Sequence, residues 1–196
     1  MEHLIKQYAL EAGALEIQYI EEFFGEFGRK KSATEIVERL ADREHLIHII
    51  EAPLPDDPGQ IAPVAFKVGH EIRPHESIPK LADLVNRLDG DVDFGSHKVL
   101  YAWIGGTRRD WRGQGFFRAL SEEQEAWALA NGFHEIVVKT KNKFYEMRST
   151  LDNLAFQVVK YERHPKDNAE SKVYLSKKLD ASVLKSHRLT RTVVQA

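Results

Sequence analysis

The chain has 196 residues, 28 Lys plus Arg against 30 Asp plus Glu, and no cysteine. A hydrophobic content of 42% is enough to bury a core and excludes a disordered segment; the net charge of −2 gives no electrostatic case for a nucleic-acid partner. The missing thiols exclude a disulfide scaffold, a thiolate zinc site, an iron–sulfur cluster and a cysteine nucleophile, and they suit a cytoplasmic location.

The opening stretch, MEHLIKQYALEAG, has no cationic start followed by an apolar run, so it does not read as a signal peptide. No stretch approaches the roughly 18 apolar residues of a membrane span, so no membrane partner is expected. At about 150 residues per domain, the length reads as one domain with decorations. The expected domain is 1–179, with a helical insert near 73–97 and a C-terminal tail at 180–196.

Residues 4–10, LIKQYAL, fit a short strand or an early helical turn, and their period does not choose. Residues 14–24 place Ile17, Ile20 and Phe24 at helical spacing. Ser32-Ala-Thr-Glu35 is a capping box opening a helix that carries Ile36, Val37 and Leu40. The β-branched run 45–52, the turn DDPGQ and the run 61–72 read as a hairpin. In the insert, Ser77-Ile-Pro opens a helix with Leu81, Leu84, Val85 and Leu88 on one face; Pro is tolerated that early. Then follow a strand at 98–107, a helix from Phe116 to Asn131 ended by Gly132, and a strand at 134–140. A helix at 143–153 and strands at 156–162 and 172–179 complete the pattern. The tail shows no clear period. The order predicts an α/β (α+β) fold: a mixed, mostly antiparallel sheet of about seven strands with helices on both faces.

The stretch Trp111-Arg-Gly-Gln-Gly-Phe-Phe117 follows a strand and opens a helix. Its glycines permit a tight turn and close approach of a ligand. The first amides of the helix lack internal partners and point out at the positive end of its dipole, a seat for phosphate or pyrophosphate. It is neither a Walker loop nor a Rossmann fingerprint, because G-K-[ST] and a third glycine are both missing.

Strand KVLYAWIGGT, turn RRDW, loop RGQGFF, a long helix, a strand, Asn142 before another helix and Ala155-Phe156 before a strand together resemble the GNAT superfamily of N-acetyltransferases. The likeness covers residues 1–179, with 98–162 the specific part; the wording of its strands is similar to an uncharacterised bacterial subgroup. The family loop is Arg/Gln-x-x-Gly-x-Gly/Ala. Arg112 and Gly115 match it, whereas the sixth place holds Phe117 instead of a small residue.

The resemblance implies a co-substrate, acetyl-CoA, bound by Gly105, Gly106, Thr107, Arg112, Gly113, Gln114, Gly115, Phe116, Phe117 and Asn142, and no metal. Its pantetheine arm would pair with the edge at Gly105–Thr107, where parallel strands 98–107 and 134–140 splay. Asn142 would cap the next helix or reach that arm. The implied reaction is direct acetyl transfer to a primary amine of a small molecule or peptide; a non-catalytic acyl-CoA-binding module is the alternative. The family's usual Tyr acid falls at Leu151, and its Glu base at about Tyr101. Glu71, Tyr101 and Glu26 are therefore the catalytic candidates, with His70 beside Glu71; adjacent strand residues face opposite ways. Phe24, Glu26 and Phe27 would line the acceptor site. The 73–97 insert is the place for acceptor specificity or homodimer contacts. Nine histidines show no spacing that fixes a metal site.

Overall fold

The computed structural model describes residues 4–11, 13–23, 31–188 and 192–196. The ambiguous first segment is a strand, β1 (Leu4–Tyr8), held antiparallel to β2 (His45–Pro53) with Ile5 opposite Ile50 and Gln7 opposite His48. Its period did not decide because the partner that fixes it lies forty residues away in sequence. Between them, α1 (Leu15–Phe23) buries Ile17 and Ile20. Next, α2 (Ala33–Leu40) is capped as its sequence predicts: the Glu35 amide donates to Ser32 Oγ at 3.1 Å. The reciprocal half of the box is absent, because the Glu35 carboxylate pairs with Lys31 instead.

β3 (Ile61–Ile72) pairs antiparallel with β2, with a register shift between Ile50 and Glu51. The insert holds α3 (Pro79–Leu88), and β4 (Val99–Thr107) follows. A single 3-10 turn, Arg109–Trp111, leads to α4 (Phe116–Ala130), then β5 (Glu135–Lys141) and α5 (Tyr145–Asn153). β6 (Gln157–Glu162) and β7 (Lys172–Lys178) form an antiparallel pair.

The tail is not featureless. Residues Thr192–Gln195 form β8, parallel to β1, so the sheet has eight strands rather than seven. The strand order is β6-β7-β5-β4-β3-β2-β1-β8. β4 and β5 are parallel, as predicted; their ladder takes in Val99–Tyr101 and Glu135–Val137. β4 itself continues to Thr107 and β5 to Lys141.

Two compact units share these elements: one from 1–70, 104–121 and 188–196, the other from 71–103 and 122–187. In the first, Ile5, Ile50, Val64, Ala65, Phe116 and Leu120 make a buried cluster, with Trp111 and Val193 against it. In the second, the apolar stripe of α3 packs with Val99, Tyr101, Val137 and Tyr174. Burying each such large apolar side chain favours folding by about 1.5–3 kcal/mol. The first cluster holds the start of α4 and the second holds the start of β4.

Candidate functional site

The loop between β4 and α4 is assembled from its underside. The Arg108 amide donates to the Val64 carbonyl at 2.9 Å, and the Trp111 amide to the Arg108 carbonyl at 3.0 Å. Arg112 Nε donates back to the Thr107 carbonyl at 3.3 Å. Trp111 and Phe116 point into the core with ring centroids 6.1 Å apart. With its aromatic residues turned down, the turn presents backbone upward: Arg112, Gly113, Gln114 and Gly115 are all exposed.

Gly113 and Gly115 have φ of 77° and 83°, where any L side chain is strained. A Cβ at either would meet nothing within 4 Å, so the space before the turn is open. The first α-helical bond of the turn is Ala119 N–H to the Gly115 carbonyl at 2.9 Å. The amides in the first turn of any α-helix have no carbonyl one turn back, and here that turn opens at Phe116. This geometry suits a diphosphate. Gly105, on β4 in the same unit, serves a different end. A Cβ there would stand 3.1 Å from the Phe66 carbonyl oxygen, so the missing side chain lets β4 lie close on β3.

Phe117, the family's small position, does not crowd the turn. Its half-buried ring lies beneath Lys67 Nζ, 4.6 Å from the ring centroid. Lys67 is 5% exposed and donates to Ser121 Oγ at 2.7 Å. The lysine does leave a signal in the sequence: it is the one cation in the apolar run IAPVAFKVG, 61–69.

Other predicted residues are placed as follows. Glu71 lies half-buried at the end of β3, its carboxylate held by Arg73 Nη2 at 2.8 Å and Nε at 2.9 Å. Tyr101 is 8% exposed within the core cluster of its unit, with Trp103 beside it. Glu26, with Phe24 and Phe27, lies outside the described residues. Leu151 is fully buried. His70 is fully buried too.

Asn142 does not cap α5. That helix begins after Phe144, which makes no side-chain cap. The Asn142 amide group instead donates to the Asn168 carbonyl at 3.1 Å and its oxygen accepts from Arg148. It ties the end of β5 to the segment before β7, and the two-residue offset from the helix start is what the sequence pattern missed.

The same unit carries a charged cluster that the motifs gave no hint of. Glu162 accepts from Arg87, from Tyr174 Oη at 3.1 Å and from Lys172 at 3.4 Å. Burial and then the Glu162 charge push the Tyr174 hydroxyl well above its usual range, so it stays a proton donor. Burial, helped by the Lys172 charge, lowers the neighbouring Lys139. Among the described residues no three of His, Asp and Glu gather as metal ligands would, and no helix is long and apolar enough to cross a membrane.

No family model and no curated protein matches the sequence. Solved structures do match the fold. The chain is similar to a chain of the NatC complex bound to Gag peptide and CoA, at a TM-score of 0.64 and 14% identity over 92% of this chain and 100% of that one. It is similar to NAA60 of Arabidopsis thaliana in complex with a bisubstrate analogue, at 0.64 and 11% over 90% and 99%. It is also similar to a phosphinothricin acetyltransferase from Sinorhizobium meliloti in complex with acetyl-CoA, at 0.62 and 12% over 91% and 89%. An open mixed sheet of eight strands with five helices, aligned along nearly its whole length with these acetyltransferases, is the fold of the GNAT superfamily.

Proposed function

We propose that the protein is an acetyl-CoA-dependent N-acetyltransferase that moves an acetyl group directly to a primary amine of a small molecule or peptide. The observation that carries this reading is the exposed backbone turn 112–115, with positive φ at Gly113 and Gly115, opening straight into α4. It is supported by the ligands of similar folds, namely CoA, a bisubstrate analogue and acetyl-CoA.

In this reading the amides of Arg112, Gly113, Gln114, Gly115, Phe116 and Phe117 hold the diphosphate. The backbone of Gly105, Gly106 and Thr107 pairs with the pantetheine amides as an added strand would. The acceptor nitrogen attacks the thioester carbonyl carbon, and an amide near Gly105 or Gly106 stabilises the oxyanion. The C–S bond then breaks and the thiolate takes a proton from solvent water. Glu71 is the proposed proton acceptor for the amine, because its carboxylate is partly open to solvent and held in place by Arg73. Tyr101, set in the core, supports the strand instead. With no cysteine in the chain, a cysteinyl acyl-enzyme is ruled out and direct attack is the simplest route.

One observation favours the alternative, a non-catalytic acyl-CoA-binding module: the place of the usual acid is Leu151, fully buried and aliphatic. Two measurements separate the readings. CoA or acetyl-CoA is expected to raise the melting temperature, and ATP or NAD is not; no shift at millimolar CoA overturns both readings. Release of free thiol from acetyl-CoA with a panel of amines then marks an enzyme, and binding without release marks the module.

A further inference from the structure

Lys67 is the least expected residue near the turn. It stands mid-strand on β3 and is 5% exposed, yet it carries an ammonium, which is costly to bury. Its Nζ donates to Ser121 Oγ at 2.7 Å, and Ser121 Oγ donates in turn to the Phe117 carbonyl at 2.7 Å. The ammonium also sits 4.6 Å from the centre of the Phe117 ring. Its stem lies beside β4: a Cβ at Gly105 would stand in ordinary contact with it, 3.5 Å from Lys67 Cγ and 3.6 Å from its Cα. One side chain therefore runs from beside Gly105 to the first turn of α4.

We propose that Lys67 is a positioning residue for the diphosphate of the coenzyme: through Ser121 and the Phe117 ring it fixes the first turn of α4, and its ammonium adds a positive field beneath that turn. The inference rests on the acyl-CoA reading above. It also explains how Phe117 is tolerated where the loop pattern has a small residue. The ring is drawn down onto the ammonium, away from the open side of the turn, and the ammonium reinforces the positive end of the helix dipole.

The test is titration calorimetry of CoA on the full-length protein, with apoprotein melting measured alongside. Lys67→Met keeps the stem and removes the charge. CoA is expected to bind about tenfold more weakly, with a shallower dependence on salt, as loss of one charge interaction predicts. The apoprotein melting temperature is read in the same variant, and the salt slope is the readout that a merely structural lysine would not move. Ser121→Ala, a small change expected to fold, keeps the charge but cuts the link to Phe117; about a threefold loss is expected. Affinity within twofold of the wild type in both variants overturns the proposal. So does a loss of CoA affinity that comes with a lower apoprotein melting temperature and an unchanged salt slope, since that marks a merely structural lysine. If the wild-type protein itself fails to bind CoA, the acyl-CoA reading falls, whatever the variants do.

Discussion

A Cβ placed on Gly105 would stand 3.1 Å from the carbonyl oxygen of Phe66, tighter than backbone and side chain normally approach. The obstacle is backbone, which cannot rotate away. Gly105→Val is therefore expected to lift β4 from β3 and cost about 1–3 kcal/mol, as overpacking does. Urea denaturation measures the cost, and CoA titration on the folded fraction should show weakened binding, because Gly105 also lies in the proposed pantetheine edge. Undiminished stability would mean that β3 yields freely there.

Ala155 has the opposite problem. It sits at the end of α5 with φ of 63°, in the left-handed region, while the Phe156 amide donates to the Leu151 carbonyl at 3.0 Å to close the helix. Glycine is the residue that this helix ending prefers. Ala155→Gly is expected to stabilise the protein by about 0.5–1 kcal/mol, the relief of left-handed strain less the entropy that glycine costs. Thermal or urea unfolding checks the sign, and a fall in stability refutes the argument.

His48 predicts a pH dependence. It is fully buried on β2, its Nδ1 has no hydrogen-bond partner among the described residues, and burial, with the Lys67 charge, lowers it to about 4. The folded state thus holds the neutral ring where the unfolded chain would protonate it. The stabilisation is complete above pH 6.5 and is lost as pH falls from there toward 4. The loss attributable to this group is on the order of 3 kcal/mol. His48→Leu should flatten the stability profile across that window; an unchanged slope would assign the acid sensitivity elsewhere.

Glu125 on α4 is fully buried, and its Oε2 accepts from Lys177 at 2.7 Å and from His187 at 2.8 Å. Lys177→Met leaves that carboxylate poorly compensated and is expected to cost about 3–5 kcal/mol. Pairing it with Glu125→Leu should recover most of the loss, because replacing a whole buried pair by apolar groups is close to neutral. If the double variant is as unstable as the single one, His187 and not Lys177 is the partner that matters.

The legible parts of the fold are those whose cause is local. Ser32 announces α2 because a cap bond spans three residues, and it forms at 3.1 Å. Leu81, Leu84, Val85 and Leu88 announce α3 because their spacing is one helix face, and all four are buried. The turn at 112–117 is legible because two glycines, a basic residue and a following helix have few alternative uses. What escaped reading has distant causes. β1 is decided by its ladder to β2 and β8 by its ladder to β1, neither of which leaves a local period. Lys67 stands out as a cation in an apolar run, but the acceptor that explains it, Ser121, lies fifty-four positions on. Asn142 lies two residues before the cap position of α5, close enough to look like a cap; its partners are Arg148 within that helix and Asn168, twenty-six positions on.

The pairing of β8 with β1 joins Leu4 to Thr192 across 188 positions of sequence. Such a contact carries a large loop-closure cost and belongs late in folding. During synthesis, β1 is made well before residues 192–195, so one side of its ladder waits until they leave the ribosome. Until then β1 is a bare edge, the kind of template that pairs with other chains. β8 therefore acts as a timer on this edge: truncations that remove it should appear first as aggregation of newly made protein, before any loss in CoA binding.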